Sequence, residues 1–275
     1  MSATAADLFK AGKLDEAIAA QVAEVKAQPL DGARRAFLLE LKLFAGDLDG
    51  AGRQLEAMKA EGTELERAAT SYRQAIAAER ARRSFFFEGG PPPEILGDPA
   101  GHLARRLEAV VHSHAGRFSE ATRAILDANE ATPEAPGLFN GEPFASLRDA
   151  DELFAGVLEV FAQGRYVWVP LETVESVAMN PPAFPRDLIF APARVSVAGK
   201  SSEVFLPVLY PGTHNQADDA VRLGRLTEWV PAGVDDDAPI LGVGARYYLL
   251  DEDREFGLLE WRELVRPAAG PVDEA

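Results

Sequence analysis

The first half of the chain carries its apolar residues at helical spacing. Leu14, Ala17, Ile18, Val22 and Val25 fall on one stripe, and Phe37, Leu38, Leu41 and Phe44 on another. That is the period of a helix with one buried face. The spacing predicts helices over residues 14–28, 32–45, 48–60, 64–83, 101–115 and 118–131. The second half changes period. Runs over 166–170, 193–197, 203–210, 246–250 and 255–261 are rich in β-branched and aromatic residues and are bounded by turn residues such as Pro211-Gly212. They read as short strands. Between the two regimes, Leu147, Leu153, Val157, Leu158 and Phe161 predict one further helix over 144–163, with Gly164 closing it. The pattern is that of an α+β protein: a helical-hairpin array over 1–135, then a small, mostly antiparallel β-rich domain over 136–275.

The array contains a repeat. Ala11-Gly12-Lys13-Leu14-Asp15-Glu16-Ala17 recurs 34 residues later as Ala45-Gly46-Asp47-Leu48-Asp49-Gly50-Ala51, which is the tetratricopeptide period. A third copy, Ala115-Gly116-Arg117-Phe118-Ser119-Glu120-Ala121, follows after 70 more. Glycine suits the left-handed position that closes a helix, and the small Ala lets the next helix approach closely. Pro29 and Pro133 each lie 12 residues beyond the Ala of their copy and stop the second helix. The array is therefore tetratricopeptide-like, and such hairpins stack into a concave surface that takes up a partner's helix or extended segment. Ser84-Phe85-Phe86-Phe87-Glu88-Gly89-Gly90-Pro91-Pro92-Pro93 interrupts it. This stretch is expected to leave the helix, its phenylalanines either plugging the gap or anchoring a partner.

Composition narrows the function. The formal net charge is −16. Residues 1–147 hold 17 basic and 22 acidic side chains and residues 148–275 hold 11 and 22, so the acidic excess sits in the second half. Phosphate binding needs a basic patch, and Arg80, Arg82 and Arg83 form only a short one. No nucleic-acid partner is expected. No apolar run is long enough for a membrane span, and the N-terminus lacks the basic and apolar regions of a signal peptide. A cytoplasmic location is expected. The chain has no cysteine, which removes disulfides and thiolate metal sites.

Catalytic, cofactor and metal motifs do not stand out. His112 and His114 are two apart on a predicted helix and point to different sides. His102 and His214 have no partner motif. Gly242-Val243-Gly244 precedes a predicted strand and lacks the third glycine of a dinucleotide loop. Asp149-Ala150-Asp151-Glu152 reads as acids at the first turn of the predicted 144–163 helix, and Asp235-Asp236-Asp237 as a solvated turn. The candidates for partner contact are Phe37, Leu41, Phe44, Tyr72, Phe85, Phe86, Tyr166, Trp168 and Arg246, large aromatic, aliphatic and Arg side chains of the kind that anchor interfaces. A structural role in the core is the alternative for each.

Short blocks in the second half carry a resemblance. They are Asn140-Gly141-Glu142-Pro143-Phe144, Asp149-Ala150-Asp151, Gly164-Arg165-Tyr166-Val167-Trp168-Val169-Pro170, Arg186-Asp187-Leu188, Pro192-Ala193, Tyr210-Pro211-Gly212, Thr227-Glu228-Trp229 and Gly242-Val243-Gly244-Ala245-Arg246. In order and spacing the chain resembles the ImpE/TagJ family, also called SciE-type, accessory proteins of bacterial type VI secretion systems. Asn140 stands where the family usually has Asp, and Ala245 where it has Gln. The resemblance implies a non-enzymatic cytoplasmic adaptor. It would bind the N-terminal helix of the small contractile-sheath subunit and link the sheath to a ClpV-type recycling ATPase. Two other readings stay open from the residues alone: a repeat module with another partner, and an enzyme with a site around Arg246 and the acids of 149–152.

Overall fold

A computed structural model describes residues 3–58, 62–96, 101–251 and 253–266. Helices come first: α1 (Ala5–Lys10), α2 (Leu14–Ala27), α3 (Gly32–Phe44), α4 (Leu48–Ala57) and α5 (Thr63–Phe87). A two-residue strand β1 (Glu94–Ile95) precedes the last hairpin, α6 (His102–His114) and α7 (Phe118–Glu130). Strands then dominate: β2 (Gly137–Phe139), β3 (Glu142–Phe144), β4 (Leu147–Asp149), β5 (Val157–Ala162), β6 (Arg165–Pro170), β7 (Val174–Met179), β8 (Phe190–Val197) and β9 (Lys200–Pro207). A short helix, α8 (Asp219–Arg222), leads to β10 (Glu228–Pro231), β11 (Ile240–Val243), β12 (Tyr247–Leu250), β13 (Arg254–Gly257) and β14 (Glu263–Val265). Among the described residues no helix is long and apolar enough to cross a membrane. The loose tail that the sequence predicts after Arg266 lies outside the described residues.

The repeat has a common physical form. At each of its three turns the glycine has positive φ: Gly12 at 80°, Gly46 at 76° and Gly116 at 69°. The amide of the next residue reaches back five positions, Lys13 to the Leu8 carbonyl, Asp47 to Lys42 and Arg117 to His112. The glycine amide reaches back three, to Phe9, Leu43 and Ser113. This paired bonding is the Schellman closure, which satisfies carbonyls that a helix end leaves free.

Nine strands form one sheet in the order β1-β6-β5-β9-β8-β7-β14-β2-β3. Every described pairing is antiparallel except β1 with β6. Two small sheets stand beside it, the β10–β11 ribbon and β13-β12-β4. Helix α5 lies on β5 and β6, and a single apolar cluster runs from Leu14 to Leu264. The α+β order follows the sequence pattern. Three local expectations do not.

Residues 144–163 are not a helix. They form the end of β3, then β4, a turn and β5. Val157 to Phe161 are all buried, so this stretch is a two-sided buried strand. A short apolar run of that kind has no period to separate it from a buried helix. Gln163 and Gly164, at φ 53° and 84°, do not cap a helix but turn β5 into β6, the backbone that a tight two-residue hairpin requires. Asp149 and Asp151 accordingly cap no helix and are buried. Lastly, α5 runs on through all three phenylalanines and ends at Glu88, before Gly89 with φ 67°. Nothing in Ser84 to Phe87 breaks a helix, because the breakers begin at Gly89.

The chain's own second half packs against α3, α5 and the turn at Gly46. Tyr72 of α5 donates to Glu40 of α3 at 2.7 Å, and the Arg186 guanidinium stacks on the Tyr72 ring. Leu43 and Phe44 meet Ile189, Phe190, Pro207 and Tyr210 around one small void. His214 fills the space that a side chain at Gly46 would need. Burial and the nearby Arg83 push its pKa down to about 4, so it sits there neutral.

The segment around α8 also clasps the first hairpin. Neither Lys13 nor its neighbours supply a side-chain cap to α2. Asp219 supplies it from 205 residues away, accepting from the Leu14 amide at 2.8 Å. Arg225 donates to the last carbonyls of α1, Phe9 and Lys10, and lies over the Phe9 ring. Asp219→Ala is therefore expected to cost about 0.5–2 kcal/mol, the usual worth of an N-cap. Amide exchange should quicken first in α1 and α2, and urea unfolding with residue-resolved exchange would show it.

Candidate functional site

Two features compete for attention: a buried ionic relay and an open apolar cleft. The relay joins α5, β4, β5 and β6 to the segments that carry Tyr210 and Arg246. Arg82 of α5 grips Glu159 of β5 through two bonds of 2.8 and 2.6 Å and donates to the Leu209 carbonyl at 3.0 Å. The other side of Glu159 takes Arg246 and the Tyr166 hydroxyl. Arg246 continues to Asp149 at 2.5 Å, and Tyr210 donates to the same carboxylate at 2.7 Å. Trp168, which faces Glu159 across β5 and β6, donates to the Tyr166 oxygen at 2.5 Å. The Arg246 guanidinium is sandwiched between the Phe154 and Tyr210 rings, each 4.7 Å from its centre. All of these side chains are buried.

The protonation states follow from burial set against partners. Burial raises the Glu159 pKa, but Arg82 and Arg246 outweigh it and hold the carboxyl below its usual value. Asp149 is raised, because burial outweighs Arg246 and Tyr210. Asp151 is raised to about 7, first by burial and then by the charge of Asp149. Its two oxygens accept the amides of Leu153 at 2.9 Å and Gly242 at 2.7 Å, so it staples β11 to the turn after β4. The relay is thus closed on itself. Its cations and anions face each other and not a solvent-filled space.

The cleft lies between the α6–α7 hairpin and the β10–β11 ribbon and holds about 310 Å³. Val110 and Ile125 form one wall, Val230, Leu241 and Val243 the other, with Phe86 and Phe154 beneath. The ribbon is fixed in place by Asp151 at Gly242 and by α7, whose Thr122 and Ser119 donate to the Asp237 carbonyl and carboxylate. Phe87 stands at the mouth, 51% exposed, with one edge against His214 and Gly212.

The nine residues singled out from sequence divide into three groups. Phe85, Phe86, Tyr166, Trp168 and Arg246 come together: Phe85 meets Trp168 edge-on at 5.9 Å, and Phe86 packs on Phe85, Phe154 and Tyr166. Only Phe86 of this group is less than buried, and it lines the cleft. Phe37 and Phe44 pack on Phe9 in the first hairpins, with Leu41 buried beside them. Tyr72 stands apart, half-buried under Arg186. Leu41, Phe44, Phe85, Tyr166, Trp168 and Arg246 therefore offer no surface in this conformation. Of the acids of 149–152, Asp149 is sealed against Arg246, and Glu152 lies apart, in a cleft with Arg148, Glu172 and Arg266. Arg80, Arg82 and Arg83 form no patch, since Arg82 is buried and the others pair with Asp49 and Glu79. His112 accepts from Arg117 at 3.1 Å, and His114 lies 2.7 Å from the Phe86 carbonyl. Val110, Ile125, Val230 and Leu241 escaped sequence reading, and Phe87 entered it only as one of three adjacent phenylalanines. Phe87 carried a signal, because three adjacent helical residues cannot all face inward.

Asp151 gives this arrangement a pH signature. Its folded pKa of about 7 lies above its ordinary value of 3.8. Its stabilising contribution is therefore full below the unfolded value and is lost as pH rises through 7. Asp151→Asn removes that titration at the cost of a pH-independent change in hydrogen bonding. The wild type should lose stability relative to the variant as pH rises from about 4 to about 7, at up to about 1.4 kcal/mol per pH unit, and level off above that. Chemical denaturation across that range checks it, and parallel curves would contradict it.

Comparison with known proteins places this architecture. The ImpE protein family profile matches residues 141–265, which include the ribbon and most of the relay. TagJ of Pseudomonas aeruginosa, described as a type VI secretion system accessory component, is 36% identical over 262 residues, or 94% of this chain and 90% of TagJ. The crystal structure of a Vibrio parahaemolyticus protein superimposes with a TM-score of 0.86, covering 96% of this chain and 98% of that one. Its identity is 22%, so that likeness concerns the fold. Identity of 36% across nearly the full length of both chains decides the relationship: this chain belongs to the ImpE/TagJ family.

Proposed function

We propose that this chain is a non-enzymatic adaptor of a bacterial type VI secretion system, working in the cytoplasm. It takes up the N-terminal helix of the small contractile-sheath subunit and links the sheath to its ClpV-type recycling ATPase. The observation that carries the reading is the near full-length similarity to TagJ, itself described as an accessory component of such a system. The site geometry supports binding over catalysis. The strongest charges, on Arg82, Glu159, Arg246 and Asp149, neutralise one another inside the core. The cleft beside Phe87 is lined mainly by apolar side chains, and a helix is read in such a site through apolar side chains at i, i+3, i+4 and i+7.

Calorimetry with the full chain and a synthetic N-terminal peptide of the small sheath subunit from the same genome tests this. Saturable binding at one site is expected. Absence of binding to folded protein would remove the sheath helix as the partner. A pull-down from the native cytoplasm should recover sheath proteins foremost, and enrichment of unrelated proteins in their place would point to another partner.

A further inference from the structure

The concave face of a helical array is the customary place to seek a helix in a repeat protein, but here residues from 186–214 pack against α3 and α5. Exposed apolar side chains such as Leu30, Phe184 and Val234 are scattered singly over the surface. Phe87 opens onto the α6–α7 and β10–β11 cleft, whose walls come from both halves of the chain.

The charges around that cleft indicate what it would accept. In the ribbon Val230 pairs with Leu241 and Glu228 with Val243. Side chains alternate along a strand, so Glu228, Val230 and Ala232 share a face. Val230 and Ala232 line the cleft, and Glu228 extends the same face with an exposed carboxylate. Glu228 has no ion-pair partner among the described residues. His114 is the basic side chain in the lining, and its Nε2 is engaged with the Phe86 carbonyl. The walls are therefore mainly apolar, and Glu228 makes the ribbon's flank anionic.

We propose that this cleft, and not the array's concave face, is the docking site for one amphipathic partner helix whose apolar stripe is bordered by Lys or Arg. The helix rests on the adaptor reading above. The location and the basic border rest on the cleft. Phe87 covers the seated apolar side chains, and Glu228 meets the cationic border.

The test uses the full chain, the same sheath-subunit peptide and three surface variants, with circular dichroism confirming that each is folded. Phe87→Ser should weaken binding at least 10-fold. Glu228→Lys should weaken it several-fold at low ionic strength, with the difference shrinking as salt screens exposed charges. Leu30→Asp, on a 96% exposed position of the array, should leave it unchanged. Wild-type affinity in both cleft variants, or a larger loss from Leu30→Asp than from Phe87→Ser, overturns the site while leaving the adaptor reading intact. A loss from Phe87→Ser with none from Glu228→Lys overturns the basic border. A wild-type chain that does not bind the peptide overturns the adaptor's partner and the docking site with it.

Discussion

Glu159 is the point on which the structure depends. It is a carboxylate on a central strand with no access to water. Such a charge is tolerable only when its partners are in place. Here they arrive from both halves of the chain, Arg82 from the last long helix of the array and Arg246 from the approach to β12. Each partner is in turn held by others, Arg82 by Glu79 and the Leu209 carbonyl, Arg246 by Asp149 and two aromatic rings. Losing one member would leave an uncompensated buried charge, a change that usually costs about 3–5 kcal/mol. The relay therefore sets the position of α5 on the sheet. Phe85 to Phe87 follow from that position, and so does the floor of the cleft.

The parts legible in the sequence are those with local causes. The Gly12, Gly46 and Gly116 turns are written in a motif because a Schellman closure needs a glycine and its neighbours and little else. Strands such as β6 and β8 were visible for the same reason: a β-rich composition between turn residues. The misread stretch, 144–163, lacks a local cause. Val157 to Phe161 form a strand because β6 and β9 lie on either side, and nothing within the segment says so.

The site was less legible still. Tyr166, Trp168 and Arg246 have the residue types of interface anchors, but the same types build aromatic and ionic cores. The difference lies in whether Glu159 and Asp149 meet them, which is a matter of tertiary contact. The cleft gathers residues from 86–87, 110–125, 151–154, 211–216 and 230–243, separations that no motif spans. Asp151 shows the same limit. As a residue in an acidic run it reads as a cap, and as a group sealed under β11 it becomes a staple with a displaced pKa.

Structure and function then divide between two kinds of chemistry. Buried charge on Arg82, Glu159, Arg246 and Asp149 fixes helix to sheet, and the cleft beside Phe87 is lined mainly by apolar side chains. That division stands or falls on the relay joining the halves into one cooperative unit. Hydrogen exchange compared between the wild type and Glu159→Gln measures it most directly. The account predicts that α5, β5, β6 and the residues around Arg246 lose protection together and that the whole chain unfolds at lower denaturant. Loss confined to the neighbours of residue 159, with α5 unchanged, would contradict it.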